Sequence, residues 1–245
     1  MAKKYVAVSG GADSVATALL LWERGEDFEI GFSDTGAEFN ENYWIILRLS
    51  ELIQKKLNVV SNGSLYQRLN DYNFMLPGPM KRWCTRILKE TPQDLFYREN
   101  GAEIVYWGIR GDEPARAIPR KPRYGNHVFQ YPLAEIGYGK REVKEICKKY
   151  DLLNPVYEWR SNISCFCCFF QKKSDWRGLL VHYPSLYQLA DQWEKQAYIC
   201  GKRQGVEEPH GWNERFTLEE FRRAKKAQYD MWPDPEGEPC LICQI

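Results

Sequence analysis

Between Tyr5 and Val60, short β-branched and aromatic runs alternate with longer stretches whose apolar residues recur at helical spacing. Tyr5 to Val8 and Phe28 to Phe32 read as strands, and Ser14 to Arg24 as a helix ending before Gly25. Asn40 to Leu57 reads as a second helix and Asn58 to Val60 as a third strand. Pro77-Gly78-Pro79 breaks the pattern, and helical period resumes from Arg82 to Asn100. Within that stretch Thr91 is expected to cap a new helix, with Pro92 at its first position and Gly101 as its stop. Glu103 to Gly108 is strand-like and opens into an Arg-, Gly- and Pro-rich loop from Ile109 to Gly125. A short run at Val128 to Tyr131 and a helical segment at Lys140 to Tyr150 follow. Strands alternating with helices predict an α/β fold, a parallel sheet covered by helices.

The pattern changes near Leu153 to Tyr157, where Asn154-Pro155 interrupts it. The expected division is a nucleotide-binding α/β domain over 1–155 and a smaller, mostly helical, cysteine-containing region over 156–245. The second region holds Cys165-Phe166-Cys167-Cys168, an aromatic-rich helical stretch from Asp175 to Cys200 and a capping box at Thr217-Leu218-Glu219-Glu220. Its tail carries Pro233, Pro235, Cys240 and Cys243. There is no internal repeat and no low-complexity segment.

Composition narrows the classes available. The 245 residues, 44% of them hydrophobic, suffice for one full core plus an appendage. Lys and Arg number 34 against 33 Asp and Glu, so a nucleic-acid contact would need a local patch. Arg116, Arg120, Lys121 and Arg123, with Tyr124 beside them, are the candidate. No stretch approaches the roughly 20 apolar residues of a membrane span, and no secretory leader opens the chain, so a cytoplasmic protein with no membrane partner is expected. In that compartment the eight cysteines read as metal ligands, reactive thiols or core residues rather than disulfides.

The most specific chemical signal is Ser9-Gly10-Gly11-Ala12-Asp13-Ser14, placed where a strand turns into a helix. Glycines let the backbone approach an anion, the helix start presents N–H groups, and Ser9 and Ser14 add hydroxyls. This suits a pyrophosphate cradle; an ordinary glycine turn is the alternative. The Gly-x-x-x-x-Gly-Lys-Ser/Thr and Gly-x-Gly-x-x-Gly patterns are absent, which speaks against P-loop kinases and nicotinamide dehydrogenases.

The loop resembles the signature of the PP-loop ATP pyrophosphatases, the adenine nucleotide alpha hydrolases, although Ala12 stands where many sulfur-handling members carry Lys. Further landmarks resemble the phosphoadenylyl-sulfate (PAPS) reductase branch: Ser33-Asp34-Thr35-Gly36 with Glu38 and Phe39, Arg82-Trp83-Cys84-Thr85 with Lys89 and Pro92, Gly108 to Arg116, Tyr131-Pro132-Leu133, and Asn154-Pro155. The resemblance implies a Rossmann-like (HUP-type) sheet. It also implies a nucleotide site at Ser9, Gly10, Gly11, Asp13, Ser14, Asp34, Thr35 and Gly108, with Asp13, Arg110 and Arg116 as catalytic candidates. ATP or adenylyl sulfate with Mg²⁺ is the expected ligand.

Reductases of this branch hold a 4Fe-4S cluster on adjacent cysteines plus a distant Cys-x-x-Cys. Here Cys84, Cys165 and Cys168 match three of those positions and Thr85 replaces the fourth; Cys167, Cys147, Cys240 or Cys243 could complete the set. Three thiolates on a cluster resemble the tRNA- and DNA-thiolating sulfurtransferases of the superfamily. The competing reading is Zn²⁺ on Cys165, Cys168, Cys240 and Cys243, and a metal-free cluster of thiols also stands. Cys147 and Cys200 fall in helical patterns as core residues, and His127, His182 and His210 fit no ligand spacing.

These features imply an ATP pyrophosphatase-type enzyme that adenylates a substrate for sulfur transfer, with nucleic-acid thiolation as the implied use and a sulfur donor such as a cysteine desulfurase as the implied partner. A (phospho)adenylyl-sulfate reductase releasing sulfite and a non-catalytic nucleotide-binding regulator are the alternatives.

Overall fold

A computed structural model describes residues 2–118, 120–206 and 211–227. Among them, strands β1 (Lys4–Val8), β2 (Glu29–Ser33), β3 (Leu57–Val60), β4 (Ile104–Trp107) and β5 (Val128–Gln130) form one sheet in the order β3-β2-β1-β4-β5. Every neighbouring pair is parallel. This is the α/β, Rossmann-like sheet expected from the alternating pattern. In a parallel sheet all carboxyl ends lie on one edge, and the loops after β1 and β4 meet where the strand order reverses, the usual ligand crevice of such folds.

Helix α1 (Ala12–Glu23) is buried nearly all round, as its Ala-, Val- and Leu-rich sequence requires, because the sheet lies against one side and α6 (Lys140–Lys149) against another. The helix expected over Asn40 to Leu57 is shorter: α2 spans Asn40–Ile53. Gln54 adopts the left-handed conformation (φ 51°), and the Lys55 N–H turns back to the Ser50 carbonyl, which frees Leu57 to begin β3.

Helical structure does appear between Arg82 and Asn100, but the new start expected at Thr91 is corrected. After α3 (Leu65–Asp71) the chain forms a π-helical turn, Thr85–Glu90, that runs directly into α4 (Thr91–Glu99). Thr91 does not cap a new helix, because Glu90 and Thr91 already have right-handed helical dihedrals. The stretch from Asp175 to Cys200 divides into α7 (Lys173–His182) and α8 (Pro184–Arg203). Pro184 disfavours helical dihedrals at the residue before it, and Tyr183 sits at φ −135°, ψ 62°. A short helix α5 (Pro132–Glu135) precedes α6, and α9 (Leu218–Ala227) closes the described chain.

One apolar cluster lies between α1, α2 and α6 and the sheet. A second gathers Trp176, Tyr187, Trp193 and Trp212 around Ala37, Phe39, Leu65, Leu69 and Leu88. The helices after residue 155 are thus packed onto the loops and helices that follow β2 and β3, which brings their cysteines to the carboxyl edge of the sheet.

Candidate active site

The loop after β1 is held by its own side chains and by a buried brace. The Ser9 N–H donates to Ser14 Oγ at 3.1 Å, and Ser14 Oγ donates to the Gly11 carbonyl at 2.9 Å. Gly10 has φ 76°, and a Cβ there would come within 2.9 Å of the Asn42 backbone. Only glycine fits. Asn154 Nδ2 donates to the Gly10 carbonyl at 3.2 Å and to Asn42 Oδ1 at 2.8 Å. The Asn-Pro that marks the change of pattern in the sequence is therefore also a clamp on the loop. The Ala12 N–H donates to the Tyr157 hydroxyl at 3.0 Å. Burial raises the Tyr157 pKa, so the phenol keeps its own proton, which has no acceptor among the described residues. Lys144 lies 4.9 Å over the same ring.

Gly108, at the end of β4, abuts α1: a Cβ there would lie 2.6 Å from the Asp13 and Ser14 backbone. This close approach brings Arg110 to Asp13, Nη1 to Oδ2 at 2.8 Å. Arg110 also pairs with Asp112 at 2.7 Å and Glu113 at 3.3 Å, and Arg116 pairs with Glu113 at 2.9 Å. Burial works against the Arg110 charge, but Asp13, Asp112 and Glu113 outweigh it and hold the guanidinium charged. For Asp13 burial dominates and raises its pKa, with Arg110 pulling the other way. Both arginines are engaged by carboxylates, so an anionic ligand would share or exchange those pairs.

After β2, Asp34 Oδ1 accepts from the Gly36 N–H at 2.8 Å and the Tyr43 hydroxyl at 2.7 Å. Thr35 is buried; its hydroxyl donates to Glu38 Oε1 at 3.0 Å and lies 3.5 Å from Cys165 Sγ. Glu38 Oε1 also receives the Cys165 thiol at 3.6 Å and pairs with Lys89 Nζ at 3.6 Å. Cys84 is the residue before the π-helical turn, and Lys89 lies near its end. Cys84, Cys165, Cys167 and Cys168 are near enough to interact electrostatically. Burial raises the pKa of Cys84 and of Cys167 and pushes Cys165 up to about 12. Buried Arg160 donates to Ser164 Oγ at 2.9 Å and to the Cys165 carbonyl at 3.0 Å. As the side chains stand, no group of three or more His, Cys, Asp or Glu among the described residues is arranged to hold a metal ion. The donor chemistry nevertheless suits a thiolate-bound group: several thiols share one site with Lys89 and Arg160, cations that offset thiolate charge.

The fold thus gathers the predicted residues into two adjoining clusters. Ser9 to Ser14, Gly108, Arg110 and Arg116 form one; Cys84, Cys165, Cys167 and Cys168 form the other, with Thr35 against Cys165 and Asn42 and Glu38 linking the two. Cys147 stands apart in the α1–α6 core, donating to the Ala12 carbonyl at 3.4 Å, and burial pushes its pKa up to about 12. His127 is buried against Tyr97 and Phe129, and His182 stacks on Trp159. Cys240, Cys243 and His210 lie outside the described residues. Sequence reasoning missed Tyr157, Lys144 and Arg160, which belong to no motif and reach the site only through folding. Glu38 was visible as a motif position, but not as the acceptor joining Thr35, Lys89 and Cys165.

Residues 3–126 match the phosphoadenosine phosphosulfate reductase domain. An uncharacterized protein of Methanocaldococcus jannaschii is 26% identical over 203 residues, covering 77% of this chain and 40% of that protein. An uncharacterized 37.8 kDa protein of Escherichia phage 186 is 25% identical over 169 residues, covering 63% of this chain and 50% of that one. The chain therefore spans half the length or less of these curated relatives. In fold it is similar to the phosphoadenylyl-sulfate reductase of Candida auris, solved as a phosphate complex, with a TM-score of 0.53 and 15% identity over 67% of this chain and 82% of that one. The family match covers just over half of the chain and coincides with β1 to β4 and their loops, and on that basis the chain belongs to the phosphoadenosine phosphosulfate reductase domain family.

Proposed function

We propose that this chain is an ATP pyrophosphatase-type enzyme that adenylates a substrate oxygen so that sulfur can replace it. The observation that supports this reading is that a phosphate-type loop and a thiol cluster are joined through Asn42 and Glu38: Asn42 lies against Gly10 and donates to Glu38 Oε2 at 3.0 Å, and Glu38 Oε1 receives the Cys165 thiol at 3.6 Å. The loop N–H groups and the start of α1 favour the departing pyrophosphate, and the Tyr157 hydroxyl supplies a further donor beside them. Asp13 and Asp34 would meet Mg²⁺, while Arg110 and Arg116, paired with Asp13 and Glu113, would take up negative charge by exchanging those partners. In the reaction the substrate oxygen attacks the α-phosphorus, the bond to the β-phosphate oxygen breaks, and pyrophosphate leaves; sulfur then displaces AMP.

Cys84, Cys165 and Cys168, with Cys167 close by, would hold a 4Fe-4S cluster that supplies a site for sulfur when bound; Zn²⁺ on the same thiols would be structural. Around it Glu38 and Lys89 set the local charge, and Arg160 fixes the Cys165 backbone. A nucleic acid is the proposed acceptor and a cysteine desulfurase-type protein the proposed sulfur source. Product analysis tests this: labelled ATP incubated with anaerobically purified protein, a nucleic-acid pool and a sulfide source yields pyrophosphate on adenylation and AMP on displacement by sulfur if the reading holds. Sulfite from adenylyl sulfate, with no AMP from ATP, would make the chain a reductase instead.

A further inference from the structure

Between α3 and α8 a groove of about 720 Å³ opens at the surface, and none of the residues lining it carries a charge. Its floor is aromatic. Tyr66 stacks on buried Trp193 with centroids 5.7 Å apart and planes at 29°, meets Phe74 edge-on, and remains 49% exposed. Three carboxamides, Asn70, Gln192 and Gln196, stand on the walls. The Asn70 amide nitrogen is used by the Tyr66 carbonyl and that of Gln196 by Cys200 Sγ, which leaves their oxygens for a ligand; the Gln192 amide has no partner among the described residues. A planar ring fits such a surface by stacking, and paired donors and acceptors along its edge fit the carboxamides.

Two further features select among planar ligands. Gly36, on the groove lining, is the neighbour of Thr35, whose hydroxyl lies 3.5 Å from Cys165 Sγ, so the groove adjoins the loop that meets the thiols. The chain that leaves the groove at Phe74 returns through exposed Lys81 and Arg82 before reaching Cys84, held alongside by Trp83, which packs on Tyr72 at 5.1 Å and donates to the Met75 carbonyl at 3.2 Å. An uncharged slot for a ring beside a basic rim is the layout for one unpaired base whose phosphate backbone stays outside.

We propose that the groove between α3 and α8 binds an unpaired base of a single-stranded nucleic acid, stacked on Tyr66 and read by Gln192 and Gln196. This rests on the adenylating reading above and names the acceptor for it.

The test uses the full chain and a dye-labelled single-stranded oligonucleotide, with fluorescence anisotropy for affinity and a 5-iodouracil version of the same strand for photocrosslinking. Tyr66→Ala is expected to weaken binding about tenfold, the loss that follows removal of one stacking platform, while Tyr66→Phe restores it. Tyr66 is half exposed, so neither change threatens folding. Crosslinks are expected on Tyr66 or Trp193, and a duplex of the same sequence should bind more weakly. Unchanged affinity in Tyr66→Ala, crosslinks only outside α3 and α8, or no binding by the wild type would overturn the proposal. MgATP affinity is measured on the same proteins and should not move with Tyr66. Strand binding without AMP formation would sink the adenylating reading and leave the groove standing; AMP formation with an indifferent Tyr66 would do the opposite.

Discussion

The Tyr157 hydroxyl accepts the Ala12 N–H at 3.0 Å across 145 residues of chain, placing a protonated phenol inside the loop where many superfamily members are expected to carry a lysine. The phenol accepts the Ala12 N–H and keeps one proton to give, so it puts an O–H donor in place of the N–H it takes up. Tyr157→Phe is therefore expected to weaken pyrophosphate binding by about tenfold, the worth of one hydrogen bond to a charged group, as read by isothermal titration. Equal or tighter binding would show that the phenol merely occupies the loop.

Gly108→Ala tests the contact between β4 and α1. The added methyl would fall 2.6 Å from backbone atoms of Asp13 and Ser14, which cannot rotate away. A loss of ~1–3 kcal/mol is expected in urea unfolding, together with weaker nucleotide binding, because the start of α1 must shift. Unaltered stability would mean that the strand end yields freely.

Metal content and nucleotide chemistry should separate by mutation. Cys165→Ala is expected to lose most iron and acid-labile sulfide from anaerobically purified protein, whereas Asp13→Ala keeps both and loses nucleotide turnover. Iron undiminished in the Cys165→Ala protein would remove Cys165 from the ligand set. Stoichiometric zinc without sulfide in the wild type would make the thiols structural.

Glu194, in α8, is buried, and its carboxylate accepts from the Trp212 N–H at 2.9 Å and the Leu218 N–H at 2.6 Å. Burial raises its pKa from the ordinary 4.5 to about 6 against the pull of those bonds. The folded state therefore holds this proton more tightly than the unfolded one. The resulting stabilisation, on the order of 2 kcal/mol, is fully present below 4.5 and lost as pH rises through about 6. Urea midpoints measured at pH 5 and pH 7.5 should show this component in the wild type and not in Glu194→Gln. The same pH dependence in both proteins would assign it to other groups.

The sheet was legible because β1, β2 and β4 follow simple apolar runs bounded by glycine and polar turns, and the loop was legible because one strand-to-helix turn carries all its glycines and serines. Helix ends were less so: the left-handed Gln54 is no glycine, and the Thr91-Pro92 start signal is overridden by the π-helical turn that orients Cys84 and Lys89. The nearness of Cys84 to Cys165 was suggested by resemblance alone, because nothing in either segment announces the other. Tyr157 could not be anticipated, since it acts through a contact 145 residues away, and Arg160 belongs to no pattern although its partners Ser164 and Cys165 are close in sequence.

The most direct test of the adenylating reading is AMP formation from α-labelled ATP in the presence of Mg²⁺ and single-stranded nucleic acid, run side by side on the wild type, Asp13→Ala and Cys165→Ala. Pyrophosphate is expected from the wild type and from Cys165→Ala; with sulfide supplied the wild type also releases an equal amount of AMP, whereas Cys165→Ala leaves the AMP label on the nucleic acid, and Asp13→Ala yields neither. ADP with phosphate as products, or AMP formation that survives in Asp13→Ala, would contradict the assignment of the phosphate loop.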